Sequence, residues 1–307
     1  MRFFLFFLIA LFGVVASVFP SASRAQVNAA PTVSGVTIAL ASGMDASAVS
    51  SLTTNENADI RVYVHGTYTD DNGCGDVATS GTVRMTLYRS WVDNGPTCTA
   101  NRAYCFRSTS IGYTSNINFG NSCTGPEDLT GDFEFSVLLP FYVDPTDVGQ
   151  FADQNWIASV TAVDNALGEG ANTATMEINT LSSLNIANSI QFGTVVLGVV
   201  HANENFVVTV TNTGNNNELD VGVAGTPMFC SGGTIPVANI GYVTTTYTPL
   251  ASAYTSLTGS LTSSNVNILK GTEANSVSQM NVYWDLTVPE TGVGGACNGT
   301  LTLTAMP

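Results

Sequence analysis

"WIASVTAVDNALGEGANTATMEI", residues 156–178, carries two runs of alternating side chains on either side of a glycine-bearing break. Trp156, Ala158, Val160 and Ala162 fall on one face of the first run, with Ser159 and Thr161 on the other. A period of two belongs to an extended strand, whose successive side chains point to opposite faces. Two such runs joined by a short Gly-containing turn read as an antiparallel pair.

The same alternation extends outward in both directions. Ile60, Val62 and Val64 alternate with Arg61, Tyr63 and His65; Val83, Met85 and Leu87 with Thr82, Arg84 and Thr86; Phe133, Phe135 and Val137 with Asp132, Glu134 and Ser136. Adding "SGVTIAL" (34–40) and "AYCFRSTSIGYT" (103–114) gives about seven strands, A to G, the number in an immunoglobulin-like sandwich. A second set begins near Ser189, after the small polar linker "NTLSSLNIAN" (179–188). Ile190 and Phe192 open it, Phe206, Val208 and Val210 follow, and the "NTGNNN" turn leads to Leu219, Val221 and Val223. Met280, Val282, Trp284, Leu286 and Val288 alternate strictly, and Leu301, Leu303 and Ala305 close the set. The expectation is an all-β chain of two tandem immunoglobulin-like β-sandwiches, 27–182 and 183–307, each large enough for its own core.

Three stretches carry a resemblance. Residues 156–178 look like the last two strands of Ig-like or cadherin-like modules in microbial surface proteins, where an Asp ends one strand before the turn. "IQFGTVVLG" (190–198) with "FVVTVTNTGNNNELDVGV" (206–223) is similar to hydin-like Ig-type domains of exported bacterial and archaeal proteins. "VYWDLTVPETGVGGACNGTLTLTA" (282–305) resembles the closing hairpin of such domains. Together they imply an extracellular surface or adhesive role. The four-cysteine middle of the first domain departs from the simple pattern.

The N-terminus supports export. Arg2 precedes an apolar run from Phe3 to Phe19, and Ser21-Ala22-Ser23-Arg24-Ala25 offers a small-residue cleavage site before Gln26. That order reads as a signal peptide over 1–25, and the expected mature protein is secreted and free of the membrane. Removing Arg2 and Arg24 with the leader takes the formal net charge from −15 to −17. A surface that negative repels phosphate backbones and anionic lipid, which excludes nucleic acid as a natural partner, and attracts cations. Only 10% of residues are charged, so the strands meet solvent mainly through Thr, Ser and Asn.

The six cysteines are even in number, lack C-x-x-C spacing and follow a leader, which favours disulfides over metal ligation. Antiparallel topology puts the B–C, D–E and F–G loops at one end of the first sandwich, away from the second. That end receives Asp70, Asp71, Asn72 and Asp76; Glu127 and Asp128; and Asp164, Asn165 and Glu169. Asp144, Asp147 and Asp153 fall at the opposite end. The same argument pairs Cys74 with Cys123 and Cys98 with Cys105, and Cys230 is left to Cys297. "YTDDNGCGD" (68–76) is therefore a stapled turn between strands. Calcium is a candidate cofactor of the acidic tip through hard oxygen ligands from several loops, set against the ordinary abundance of Asp, Asn and Gly in turns. An EF-hand loop does not fit, because Cys74 stands at the fifth ligand position.

Enzymatic signatures are scarce. The two histidines, His65 on an outward strand face and His201 in a turn-like segment, have no evident partner for nucleophilic catalysis. No G-x-S-x-G or H-E-x-x-H occurs. Asp132 and Glu134 share a strand face as glycosidase acids can, but read as a solvated face opposite Phe133 and Phe135. Trp156 and Trp284 sit inward, leaving Trp91 as the tryptophan available for a sugar platform. Lys270 is the sole lysine, which argues against an isopeptide cross-link in the first domain, and Asn298-Gly299-Thr300 is a glycosylation-type sequon. The expected function is a non-enzymatic secreted or cell-surface module that binds a surface protein or glycan, or acts as a spacer. Two alternatives stand beside it. One is a filament or layer subunit self-associating by β-strand addition, with "QVNAAPTVSGVTIAL" (26–40) as donor. The other is a carbohydrate-binding or glycoside-cleaving module.

Overall fold

A computed structural model describes residues 28–125, 127–186, 189–199, 206–244, 254–273 and 276–307. The leader 1–25 and His201 lie outside the described residues. The chain is all-β. Its first nine strands are β1 (Thr32–Ala39), β2 (Ser51–Thr53), β3 (Ile60–Thr69), β4 (Thr82–Arg89), β5 (Cys105–Phe106), β6 (Thr114–Asn116), β7 (Thr130–Leu139), β8 (Trp156–Val163) and β9 (Glu169–Asn179). One sheet has the order β1-β3-β7-β6 and the other β2-β9-β8-β4-β5. Neighbours are antiparallel except β2 and β9, which run parallel. Val62, Val64, Phe133, Phe135 and Val137 of one sheet bury against Met85, Leu87, Trp156, Val160 and Ile178 of the other. Each such side chain removed from water contributes about 1.5–3 kcal/mol, which is why the inward set is so regularly apolar.

Three expectations for this half need correction. "AYCFRSTSIGYT" is not one strand: β5 pairs with β4 in one sheet and β6 with β7 in the other. The chain crosses between sheets through a turn in which Gly112 has φ +74°, a left-handed conformation that favours glycine. His65 does not face solvent but is 2% exposed. It lies directly across from Glu134, whose carboxylate accepts from the Ser42 hydroxyl at 2.8 Å and the Gly43 amide at 2.7 Å. Those bonds hold the 40–47 loop over the outer face of the sheet. Glu134 is accordingly a loop anchor, not part of a solvated face.

The remaining strands are β10 (Leu184–Ile186), β11 (Phe206–Asn212), β12 (Asp220–Gly225), β13 (Met228–Ile235), β14 (Ile240–Val243), β15 (Thr255–Ser256), β16 (Thr262–Ser263), β17 (Ser278–Leu286), β18 (Gly294–Asn298) and β19 (Leu301–Met306). They form sheets ordered β10-β11-β17-β14-β15, β16-β12-β19 and β13-β18 around a separate core that includes Val208, Val210, Val221, Val223, Val282 and Trp284. The opening strand is β10, drawn from the segment read as linker, and it pairs with β11. Ile190 and Phe192 pack against the core from an irregular segment. Phe192 is held edge-on against Phe206, ring centres 4.8 Å apart.

Disulfides join Cys74–Cys123 and Cys98–Cys105, the pairs expected from topology, and Cys230–Cys297, the pair expected by elimination. Cys297 stands in β18 directly across from Cys230, so this bridge crosses a strand pair. Three bridges mark an oxidising environment. Among the described residues no helix is long and apolar enough to cross a membrane.

The two cores meet through a polar junction. Lys270 from the second half is 8% exposed; its Nζ donates to the Tyr142 carbonyl at 2.7 Å and pairs with Asp144 at 2.9 Å. The other Asp144 oxygen accepts from Arg89 Nε at 2.8 Å, and the Asp144 carbonyl accepts from Trp156 Nε1. Beside it, the "NTGNNN" turn folds onto the connecting segment. The buried Asn215 accepts from the Leu181 amide and donates to the Asn179 carbonyl, and its own amide donates to Leu181. Thr213 reaches the first half, donating to Glu56 and accepting from the Asn57 amide. The approach requires glycine at 214, where a Cβ would lie 1.9 Å from the Leu181 carbonyl oxygen.

Candidate metal centre at the distal tip

Antiparallel pairing of β1 with β3 places Thr32 across from Thr69. The chain before β1 therefore emerges beside the β3–β4 loop, and the β8–β9 loop reaches the same end. Of the nine acidic and amide residues expected there, Asp70, Asp76 and Asp164 converge, each offering a ligand oxygen within 4.8 Å of the others.

Asp70 directly follows β3 and is 1% exposed. Its backbone donates to the Leu129 carbonyl, and its Oδ1 accepts from the Asn72 amide at 2.7 Å. Its Oδ2 is buried without a hydrogen-bond partner. Burial pushes the Asp70 carboxyl above the ordinary carboxylate range; the Asn72 amide opposes this, and the charges of Asp76, Asp164 and Asp71 add to it. Asp164 directly follows β8 and is also 1% exposed. Asn28 donates to its Oδ2 at 2.7 Å, and the Ala166 and Gly168 amides donate to its Oδ1. The Asn28 bond leads these in holding the Asp164 carboxyl below its usual range. Asp76 opens a single helical turn, Asp76–Ser80, and its Oδ1 is buried without a partner. None of the three has a salt-bridge partner among the described residues.

The other expected residues are placed differently. Asn72 accepts from the Ala29 amide at 2.9 Å, pinning the N-terminal segment to the tip. Asp128 turns into its own loop, accepting from the Thr124 hydroxyl and amide and the Gly125 amide, and the Thr124 hydroxyl leads in keeping its carboxyl low. Glu169 forms an exposed pair with Arg84 at 3.2 Å. Asp71, Glu127 and Asn165 are exposed. The staple Cys74–Cys123 holds the β3–β4 loop to the segment before β7, and the Cys74 amide donates to the Asp128 carbonyl. Asn28 was not singled out in the sequence, although the pairing of strand A with strand B carries the segment before β1 past the β3–β4 loop, where Ala29 reaches Asn72 and Asn28 reaches Asp164.

Two further features lie elsewhere. Trp91, at the end of β4, is 73% exposed, whereas Trp156 and Trp284 are buried in the two cores. In the second half a cleft of about 840 Å³ is lined by Ile190, Phe192, Val208, Leu286, Leu301 and Leu303. It adjoins β19, which among the described residues pairs with β12 alone.

No protein-family model matches the chain, and no curated protein matches it in sequence. Among solved structures it is similar to the secreted serine protease VesC from Vibrio cholerae, at 9% identity with a TM-score of 0.20 over 84% of this chain. The match spans 49% of that protein, about half its length. A likeness this slight carries no argument about fold or activity.

Proposed function

We propose that the chain is an exported, non-enzymatic cell-surface protein. In this reading two tandem immunoglobulin-like sandwiches, following a cleaved leader, hold an acidic distal tip clear of the other end. The observation that carries this reading is the junction. Relative motion is the default between domains of one chain whose interface is not large and hydrophobic; buried charges paired across the interface oppose it, because separating them strands a charge. Here a buried Arg89–Asp144–Lys270 chain and the Asn215 clasp on Leu181 join the halves, which suits a stiff strut better than beads on a tether. Three disulfides suit the oxidising exterior. The tip then presents Asp71, Glu127 and Asn165 outward to a surface protein or glycan, on loops fixed by Cys74–Cys123. Cells lacking the chain should lose attachment to a surface or to one another. The wild-type chain should restore it, and a chain with residues 71–73 shortened should not. Unchanged attachment in the deletion strain overturns the reading.

A second reading, assembly by β-strand addition, is favoured by the β19 edge beside its apolar cleft. The donor suggested by the sequence is engaged at home, since β1 pairs with β3 in its own sheet. A filament should sediment from purified mature protein; a monomer at all concentrations removes this reading.

A further inference from the structure

Two buried carboxylate oxygens at the distal tip, on Asp70 and Asp76, have no hydrogen-bond partner. A buried charge without a partner costs several kcal/mol, and proteins relieve it by pairing, by protonation or by coordinating a metal. Pairing is not the solution here, because no arginine or lysine among the described residues bridges to Asp70, Asp76 or Asp164. The carboxylates are also pre-set rather than floppy. The Asn72 amide fixes Asp70, while Ala166, Gly168 and Asn28 fix Asp164. Hydrogen bonds that hold like charges together without neutralising them suit a site waiting for a cation.

We propose that Asp70, Asp76 and Asp164 bind one divalent cation of the calcium class, and that the ion locks the β3–β4 loop, the β8–β9 loop and the Asn28 segment into one tip. Three considerations select calcium. The ligands are all hard oxygens, with no imidazole or thiolate among them, since Cys74 is committed to its disulfide. Calcium–oxygen distances of about 2.3–2.6 Å put oxygens on opposite sides of the ion about 4.6–5.2 Å apart. The three ligand atoms already lie within 4.8 Å of one another, so the loops need move little. Magnesium dehydrates reluctantly and keeps several waters, which a site this buried does not favour. Sites in extracellular modules bind calcium at about 10⁻⁴–10⁻³ M, and three carboxylates on surface loops belong in that range.

The inference stands apart from the proposed function, because a tip can bind calcium whether or not it meets a partner. The experiment uses the mature chain, residues 26–307, stripped with EDTA. Calcium chloride is titrated by calorimetry, and thermal unfolding is followed in calcium chloride, in magnesium chloride and in sodium chloride of matched ionic strength. The expected result is saturable heat with one site per chain and a rise in Tm of several degrees in calcium that sodium does not reproduce. Asp70→Asn should raise Tm in EDTA, because an amide removes one charge and supplies donors to its neighbours, and should abolish the calcium response. Asp76→Asn should weaken calcium binding at least tenfold by calorimetry, which keeps the test decisive if Asp70→Asn folds poorly. Asp128→Asn, whose carboxylate is occupied within its own loop, should respond as wild type does. No heat up to 10 mM calcium, a Tm rise matched by sodium chloride, or an undiminished response in Asp76→Asn overturns the proposal.

Discussion

Replacing Lys270 with alanine should loosen the joint between the two halves of the chain. The Lys270 ammonium lies 2.9 Å from an Asp144 oxygen, with both side chains less than a tenth exposed. Breaking a buried pair by removing one partner costs about 3–5 kcal/mol, because the survivor is left charged and dry. Asp144 is not wholly abandoned, since Arg89 still donates to its other oxygen at 2.8 Å. That retained bond puts the loss at the lower end, and the Tyr142 carbonyl loses its donor as well. The expected destabilisation is about 3 kcal/mol, a large part of a usual margin of about 5–15 kcal/mol. With a urea slope near 2 kcal/mol/M, the midpoint should fall by about 1.5 M. Tryptophan fluorescence reports both halves, through Trp156 in the first core and Trp284 in the second. Small-angle scattering should show a wider spread of overall dimensions for the variant. Glu169→Gln is the control: its pair with Arg84 is about 60% exposed, and its loss should cost about 0.5 kcal/mol or less. If Lys270→Ala shifts the midpoint no more than Glu169→Gln does, the reasoning about the buried junction is wrong.

Gly214→Ala should disturb the same joint from the other side, by about 1–3 kcal/mol, because its Cβ meets the Leu181 carbonyl; urea unfolding that matches wild type would refute this. Serine at both Cys230 and Cys297 opens a loop spanning 67 residues, and the loop-entropy estimate is a loss of about 4 kcal/mol. Limited proteolysis should then cut near β19 first, and unchanged resistance would count against the bridge's role. Burial holds His65 below its ordinary value, with Glu134 only partly offsetting this. Its contribution is therefore present above the unfolded pKa near 6.5 and lost as pH falls through the lower folded value, by about 1.4 kcal/mol per unit between the two. His65→Asn should flatten that acid-side decline in a series of urea titrations, and an unchanged slope would show that other groups control it.

Much of the strand content is written in the period-two runs. β3, β4, β7, β8, β11 and β17 coincide with alternations such as Val62/Val64 and Val282/Trp284, because one face of each must be apolar to reach a core. Two cysteine pairs followed from which loops share an end, and the third from elimination. Where tertiary contacts decide, the pattern failed. His65 sits on the face that alternation assigns to solvent, yet it is buried, on a face where Glu134, directly across from it, ties down the 40–47 loop. "NTGNNN" has the composition of any turn, and nothing local says that Asn215 grips Leu181 thirty-four residues earlier. β10 was missed because Leu184–Ile186 has only two apolar residues and takes its strand character from pairing with β11. At the tip, the acids were visible, but which three would converge was not. Asp128 and Glu169 carry the same chemistry and are spent on Thr124 and Arg84.

The claim that most needs testing is that this chain works folded and bridged outside the cell. Intact cells can be labelled with antibody to the folded protein, and the labelled chain recovered for non-reducing peptide mapping. The account predicts labelling without permeabilisation, a chain beginning at Gln26, and linked peptides for 74–123, 98–105 and 230–297. Labelling only after permeabilisation, a chain that retains residues 1–25, or free thiols at these positions would contradict it.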